Sequence, residues 1–386
     1  MGTKDWSLSE ELERRGVSRR DFMTFCAGVA TYFALPKEAA AEMAEAVART
    51  LKPSLVWLEF QDCAGNTESL LRASRPTVAE VILDSISLDY HETIMPAAGK
   101  QAEDALKKTM SDHADKYLVV IEGSIPTGAG GAYCTIGGRS ALQIAREACE
   151  HAAGVIAVGT CASFGGIPAA APNPTSALGV ADAVPGIKNL INLPACPANV
   201  ENLTALIVYY LTYNRWPPCD SKRRPLFAHG KTIHDNCERR AHFDAGQFVR
   251  AWGDEAHRNG ECLVEMGCKG PETYNNCPVV RWNEGTNWPI GCGHPCIGCA
   301  EPNFWDTMTP FYKHLSGIPG LGVASNVDEV GVLATAAVGA AFVGHGLIQL
   351  GIRRRGAHDG PARTPEAPAK KQGEKPATET AKKESP

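Results

Sequence analysis

Nine of the fourteen cysteines in this 386-residue chain, joined by one histidine, stand in groups whose residue types suit iron. The densest run is His234-Asp-Asn-Cys237, then Cys262 and Cys268, then Cys277, then Cys296-Ile-Gly-Cys299. Three more, Cys63, Cys161 and Cys196, are dispersed through the first half. Cysteine thiolates are the ordinary ligands of iron–sulfur clusters, and several clusters in one chain imply electron transfer. Two other readings compete. Disulfides need an oxidising compartment. Structural zinc needs closed groups of four, for which only Cys296–Cys299 and His234–Cys237 have suitable spacing. The irregular spacing elsewhere favours clusters.

The dispersed three have a consistent local setting. Ser54–Phe60, Tyr117–Glu122, Gly154–Val158 and Leu190–Leu193 read as strands, with helical patterns between them. That alternation predicts a parallel, doubly wound α/β sheet. Cys63 follows the first strand, with Thr67 as a helix N-cap beyond it; Cys161 follows the third and Cys196 the fourth. Ligands of such sheets gather outside the carboxyl ends of strands, so three loops of this kind can converge. No GxGxxG follows the first strand, which argues against a dinucleotide.

Composition narrows the rest. A net charge of −5 and 7% aromatics offer neither a basic face nor a stacking platform for nucleic acid. The 38 glycines and 26 prolines fit long ordered loops.

Both ends read as membrane addresses. Residues 1–48 hold Ser18-Arg19-Arg20-Asp21-Phe22-Met23, a twin-arginine pattern, then an apolar stretch Phe25–Leu35 and the small residues Ala39-Ala40-Ala41 as a cleavage region. Cys26 would leave with that segment. Val330 to Ile352 carries no charged side chain and is long enough for a transmembrane helix. Arg353-Arg354-Arg355 places its far end in the cytoplasm, with the folded body on the periplasmic side. His345 inside the span suits helix packing better than haem or quinone contact. Residues 353–386 read as a disordered tail.

The ordered motifs Asp62-Cys-Ala-Gly-Asn-Thr-Glu-Ser, Ile86-Ser-Leu-Asp-Tyr-His-Glu92, Glu122-Gly-Ser-Ile-Pro, Gly159-Thr-Cys161, Pro194-Ala-Cys-Pro, His234-Asp-Asn-Cys237, Gly267-Cys-Lys-Gly-Pro and Gly293-His-Pro-Cys-Ile-Gly-Cys299 resemble the small subunit of membrane-bound, uptake-type nickel–iron hydrogenases. The resemblance implies a flavodoxin-like domain over 49–220 and a smaller iron–sulfur domain over 221–320, followed by the membrane helix at 330–352. It implies a proximal [4Fe–4S] cluster on Cys63, Cys161 and Cys196, a medial [3Fe–4S] cluster on Cys277, Cys296 and Cys299, and a distal [4Fe–4S] cluster on His234, Cys237, Cys262 and Cys268. The dihydrogen chemistry would belong to a separate large subunit holding nickel and iron. Electrons would leave through a membrane cytochrome b or quinone-reducing subunit, in a heterodimer or an assembly of heterodimers.

The chain departs from that family at one ligand. The usual loop reads Cys-x-x-Cys, and here it reads Cys63-Ala-Gly-Asn66. Asn66 through its side-chain oxygen, Asp62, or Glu92 could replace the thiolate, since hard oxygen ligands bind iron; a three-iron cluster is the other outcome. Cys134, Cys149, Cys219 and Cys292 remain outside the ligand sets. A stand-alone multi-cluster carrier with no catalytic partner is the competing functional reading.

Overall fold

The computed structural model describes residues 19–36, 38–49, 53–73, 87–313 and 327–356. The central sheet has five strands: β1 (Ser54–Glu59), β2 (Ser87–His91), β3 (Leu118–Glu122), β4 (Gly154–Val158) and β5 (Leu190–Leu193). Their order is β2-β1-β3-β4-β5 and every pairing is parallel. This is the strand order of flavodoxin-like sheets. The expected strands β1, β3, β4 and β5 all form. The edge strand β2 was not expected: Ser-Leu-Asp-Tyr-His mixes polar and apolar residues, and only its last two are buried.

The parallel arrangement explains the strand sequences. With helices on both faces, a central strand needs apolar side chains throughout. Successive residues point to opposite faces. Val56, Leu58, Val119, Ile121, Val155 and Ala157 enter one hydrophobic cluster. Leu55, Trp57, Leu118, Val120, Ile156 and Val158 enter the other. Each fully buried side chain of this size contributes about 1.5–3 kcal/mol.

Helices α3 (Gly65–Leu71), α4 (Lys100–Asp112), α5 (Ala141–Glu150), α6 (Gly159–Phe164) and α7 (Val200–Tyr213) accompany the sheet. Ser140 caps α5 by accepting the Gln143 N–H at 3.2 Å, and Asn199 caps α7 by accepting the Glu201 N–H at 2.9 Å. Such caps are worth ~1 kcal/mol each. Thr67 does not cap α3. The helix starts two residues earlier, after Ala64 in the left-handed region, and the Thr67 hydroxyl turns inward to Glu59 and Glu122.

Two helices precede the sheet, α1 (Arg19–Tyr32) and α2 (Glu38–Arg49). Ser18 lies outside the described residues, while Arg19 and Arg20 open α1. Cys26, Val29, Ala30, Ala39, Ala40 and Met43 bury themselves with Ala205 and Val208 of α7. Phe33 lies 4.7 Å from Tyr209 and 4.3 Å from Phe227 between ring centroids. Burial pushes the Cys26 thiol up to about 12. The segment expected as a leader is thus a hairpin packed on α7, with the Ala39–Ala41 region inside a helix.

Residues from 221 to 313 belong to the same compact unit as the sheet. They contain only helical pieces of three to five residues, such as Arg240–Asp244 and Cys277–Val280, joined by ordered loops. Their apolar centres are small: one around Ile233, Val249, Leu263, Trp288 and Ile290, another around Phe243 and Val264.

A second unit begins at Val330. The helix α8 (Val327–Gly356) covers the whole segment expected to cross a membrane. Among the described residues, however, no helix is long and apolar enough to do so. Val338, Phe342, Val343, Leu347, Ile348 and Leu350 are all exposed there.

Candidate metal centres

The first set of thiols stands at the carboxyl ends of β1, β4 and β5. Cys63 lies in the loop between β1 and α3. That loop is tied to the one after β3 by a two-way backbone exchange between Gln61 and Ser124, at 3.1 and 3.0 Å. Cys161 sits in α6, which begins directly after β4. Cys196 follows β5, and the Thr160 N–H donates to Ala195 O at 3.0 Å, joining these two loops. The three thiols sense one another. Burial, then Cys63, raises Cys161 to about 11. Burial, then Cys299, Cys161 and Cys63, raises Cys196 to about 12. Glycine leaves room beside them: a Cβ on Gly166, at φ +55°, would lie 2.6 Å from Cys161 Sγ, and one on Gly65 would lie 3.1 Å from Cys63 Sγ.

The three oxygen candidates differ in their surroundings. The Asn66 side chain donates Nδ2–H to Glu122 Oε1 at 3.1 Å and accepts the Ala198 N–H at 2.8 Å. Asp62 accepts the Ala64 N–H at 2.7 Å. Burial, with Glu122 and Glu59 adding to it, raises its carboxyl to about 6. Oxygens of Glu59, Asp62 and Glu122 lie within 4.8 Å of one another. Glu92 accepts the Glu59 N–H at 3.0 Å, and burial pushes it up to about 8.

His234, Cys237, Cys262 and Cys268 line one small cavity with Ile233, Leu263, Gly270, Pro271 and Ile290. Thr232 and Asp235 set the turn that presents His234. Asp235 Oδ2 accepts the Thr232 N–H at 2.8 Å, and Thr232 Oγ1 accepts the Asp235 N–H at 3.2 Å. Burial, then the Arg240 cation, lowers the His234 pKa, so its ring is neutral and able to bind metal. Phe243 holds that ring edge-on at 4.6 Å. Cys262 is fixed by backbone bonds from Val249 N to Cys262 O and from Cys262 N to Gln247 O, at 2.9 and 3.1 Å.

Cys277, Cys296 and Cys299 form the third set. Burial, then Cys299, raises Cys277, and burial, then Cys268 and Cys299, raises Cys296. The Gly298 N–H donates to Cys296 Sγ at 3.4 Å. Beneath the set, Arg224 pairs with Glu301 Oε1 and Asp220 Oδ2, each at 2.8 Å, and the Tyr274 N–H donates to the same Glu301 oxygen at 2.8 Å.

Neighbouring sets touch. The Thr160 hydroxyl, beside Cys161, donates to Cys299 O, and the Cys296 N–H donates to Cys268 Sγ at 3.3 Å. The donor set fits clustered iron. Burial and mutual repulsion hold most of these thiols protonated, and only a cationic metal makes so many adjacent thiolates favourable.

Cysteines outside the sets are distinct. Cys149 is buried in α5 among core residues, as its helical setting predicts. Cys134 is half-buried against the same core and senses Asp62 and Glu92. Cys292 is exposed and lines a cleft of about 770 Å³ shared with Cys196, Cys277 and Cys299. The sequence reading passed over Glu122, Arg224 and Glu301. Only Glu122 leaves a sequence signal, a carboxylate ending an apolar strand.

Two family models match the chain: the C-terminal domain of the NiFe/NiFeSe hydrogenase small subunit over residues 229–312, and the NADH ubiquinone oxidoreductase 20 kDa subunit over residues 63–210. The periplasmic [NiFe] hydrogenase small subunit 1 of Nitratidesulfovibrio vulgaris is 49% identical, over 81% of this chain and 98% of its own. The quinone-reactive Ni/Fe-hydrogenase small chain of Wolinella succinogenes is 39% identical, over 89% of this chain and 98% of its own. Among solved structures, a chain of the Desulfomicrobium baculatum [NiFeSe]-hydrogenase superposes with a TM-score of 0.64 at 33% identity, covering 69% of this chain and 100% of that one. The sheet, the gathered thiols and these relatives together make the chain a member of the nickel–iron hydrogenase small-subunit family.

Proposed function

We propose that this chain is an electron relay with three stations, built on its established family role. The small subunit carries electrons by iron–sulfur clusters, and the catalytic nickel and iron lie on the large subunit with which it pairs. In our reading, a proximal [4Fe–4S] cluster is held by Cys63, Cys161 and Cys196, a medial [3Fe–4S] cluster by Cys277, Cys296 and Cys299, and a distal [4Fe–4S] cluster by His234, Cys237, Cys262 and Cys268. Such clusters supply one-electron carriage at potentials set by charge, hydrogen bonds and exposure.

The observation that carries this reading is the pair of contacts between sets, the Thr160 hydroxyl beside Cys161 to Cys299 O and the Cys296 N–H to Cys268 Sγ. They support one continuous series rather than three separate structural pins. Exposure adds a direction: Cys63 is exposed, whereas Cys296 is buried. An exposed first station suits coverage by the partner subunit.

The relay delivers to a membrane cytochrome b or quinone-reducing subunit from the periplasmic side. In support, the Wolinella relative is named as quinone-reactive and the Nitratidesulfovibrio one as periplasmic. The charge-free stretch 330–352, the exposed apolar side chains of α8 and the Arg353-Arg354-Arg355 stop support an anchor with a cytoplasmic tail. The arginine pair at α1 supports twin-arginine export.

Metal analysis of the complex purified from membranes tests the reading. About twelve irons per heterodimer, eleven from the relay and one beside the catalytic nickel, is the expected result. About eleven irons with that nickel would indicate a three-iron proximal site. Zinc without iron would sink the relay, and iron without a nickel subunit would favour the stand-alone carrier. Alkaline carbonate should leave the chain in membranes, and a chain ending at Glu329 should be released.

A further inference from the structure

We infer that Asn66 is a positioning residue, a hydrogen-bonded strap that holds the three proximal ligand loops together, and not a ligand to iron. The inference rests on the proximal assignment above.

Asn66 lies three residues after Cys63. Its backbone N–H and its Nδ2–H both donate to Glu122 Oε1, at 2.8 and 3.1 Å. Its Oδ1 accepts the N–H of Ala198, two residues after Cys196, at 2.8 Å. Its amide also packs against Gly159, two residues before Cys161. A Cβ there would lie 2.5 Å from Nδ2 and 2.8 Å from Oδ1, and Gly159 has φ +79°. One side chain thus touches the end of β3 and the loops carrying all three thiols.

Glu122 is built to receive it. This carboxylate is fully buried at the end of β3. Besides Asn66 it accepts the Thr67 N–H at 3.1 Å, the Thr67 hydroxyl at 2.8 Å and Trp57 Nε1–H at 3.3 Å. The amide of Asn66 is therefore oriented by a donor on one side, an acceptor on the other and backbone beneath. A cysteine at 66 could neither donate to Glu122 nor accept from Ala198 with comparable strength. Where a fourth thiolate would join the loops through iron, this chain joins them directly. The fourth iron position then falls to another group.

The purified heterodimer, with its variants, tests this. Asn66→Ala and Glu122→Ala should each leave the proximal iron count and Mössbauer class unchanged. Asn66→Ala, which loses two hydrogen bonds, should speed chelator removal of proximal iron by about tenfold, and Glu122→Ala, which strips five, should speed it further. The double variant should be no faster than Glu122→Ala alone, because both cut one network. Asn66→Asp, which sets a carboxylate against Glu122, should be more labile than Asn66→Ala.

A contrary pattern would overturn the strap. It would consist of an added three-iron signal in oxidised Asn66→Ala but not in Glu122→Ala, or an intact, lower-potential cluster in Asn66→Asp. Unaltered protein gives an independent check. With ¹⁵N-asparagine, electron–nuclear double resonance should detect no coupling from the proximal cluster to an asparagine side chain, and a resolved coupling would refute the inference. If native protein holds no proximal iron, the relay reading fails. The strap then stands or falls on amide exchange, with Ala198 N–H protection lost in Asn66→Ala and in Glu122→Ala alike.

Discussion

Glu301→Ala should dismantle the medial site from beneath. Arg224 and Glu301 are only 3% and 5% exposed, so neither charge can turn to water. The glutamate accepts from Arg224 and from the Tyr274 N–H, three residues before Cys277, and it lies two residues beyond Cys299. Breaking a buried ion pair from one side costs about 3–5 kcal/mol. An orphaned buried N–H adds about 1–3 kcal/mol. Asp220 remains on the other side of the guanidinium and offsets part of this, which brings the sum to ~4 kcal/mol. At 1.4 kcal/mol per tenfold, local opening becomes about a thousandfold more frequent. Hydrogen exchange on the heterodimer reads this directly: protection of amides from Tyr274 to Arg281 should fall about that far, while β3 and β4 keep theirs. The [3Fe–4S] signal in oxidised protein should fall with it. Glu301→Gln, whose single amide oxygen can still accept from Arg224 and from the Tyr274 N–H, should lose far less, and the double change Arg224→Met with Glu301→Leu should recover only the ion-pair part, because the Tyr274 N–H stays unpaired. Wild-type protection and an undiminished signal in Glu301→Ala would show that the network does not support the site.

Three further outcomes follow from the geometry. Gly166→Ala meets both a left-handed backbone, costing ~1–2 kcal/mol, and Cys161 Sγ at 2.6 Å, so proximal iron should be lost selectively, as counted by metal analysis. His229, buried with its pKa lowered to about 4 chiefly by burial, stays neutral in the folded chain, whereas the unfolded chain takes up a proton below about 6.5. Its contribution of ~3 kcal/mol is fully present above pH 6.5 and is lost as pH falls toward 4; denaturant midpoints across that range should flatten in His229→Gln, and parallel curves would contradict it. His234→Cys replaces a neutral ligand by a thiolate and should lower one cluster potential by on the order of 100 mV in a redox titration, and an unmoved potential would remove His234 from the ligand set.

Much of the architecture was legible because it depends on periodicity. The buried strands announce themselves as short apolar runs, and the cysteine after each lies where a parallel sheet opens. The edge strand β2 was hidden because one side meets solvent and its composition is mixed. The residue types proposed as distal and medial ligands stand out in the sequence, but their grouping is a proposal that rests on the family resemblance, since spacing alone does not say which thiols share a metal. The structural roles of Glu122 and of the Arg224–Glu301 pair were hidden for a different reason. A charged residue reads as surface until the fold surrounds it. The docking of Cys26 and Met43 on α7 was missed likewise, because an export-like segment and an amphipathic hairpin have the same small, apolar composition.

The ligand sets proposed above imply an order of assembly. In that assignment the distal set spans residues 234–268 and the medial set 277–299, so each closes a short loop of polypeptide. Short loops cost little chain entropy and close early. With only small apolar centres of its own, this region gains most of its order when metal arrives. The proximal set draws on Cys63, Cys161 and Cys196, and its third thiol exists in place only after β5 has joined the sheet. Long-range parallel pairing is the slow part of folding such a domain. The station nearest the catalytic partner is thus the last to be completed, and its readiness reports that the whole sheet has formed.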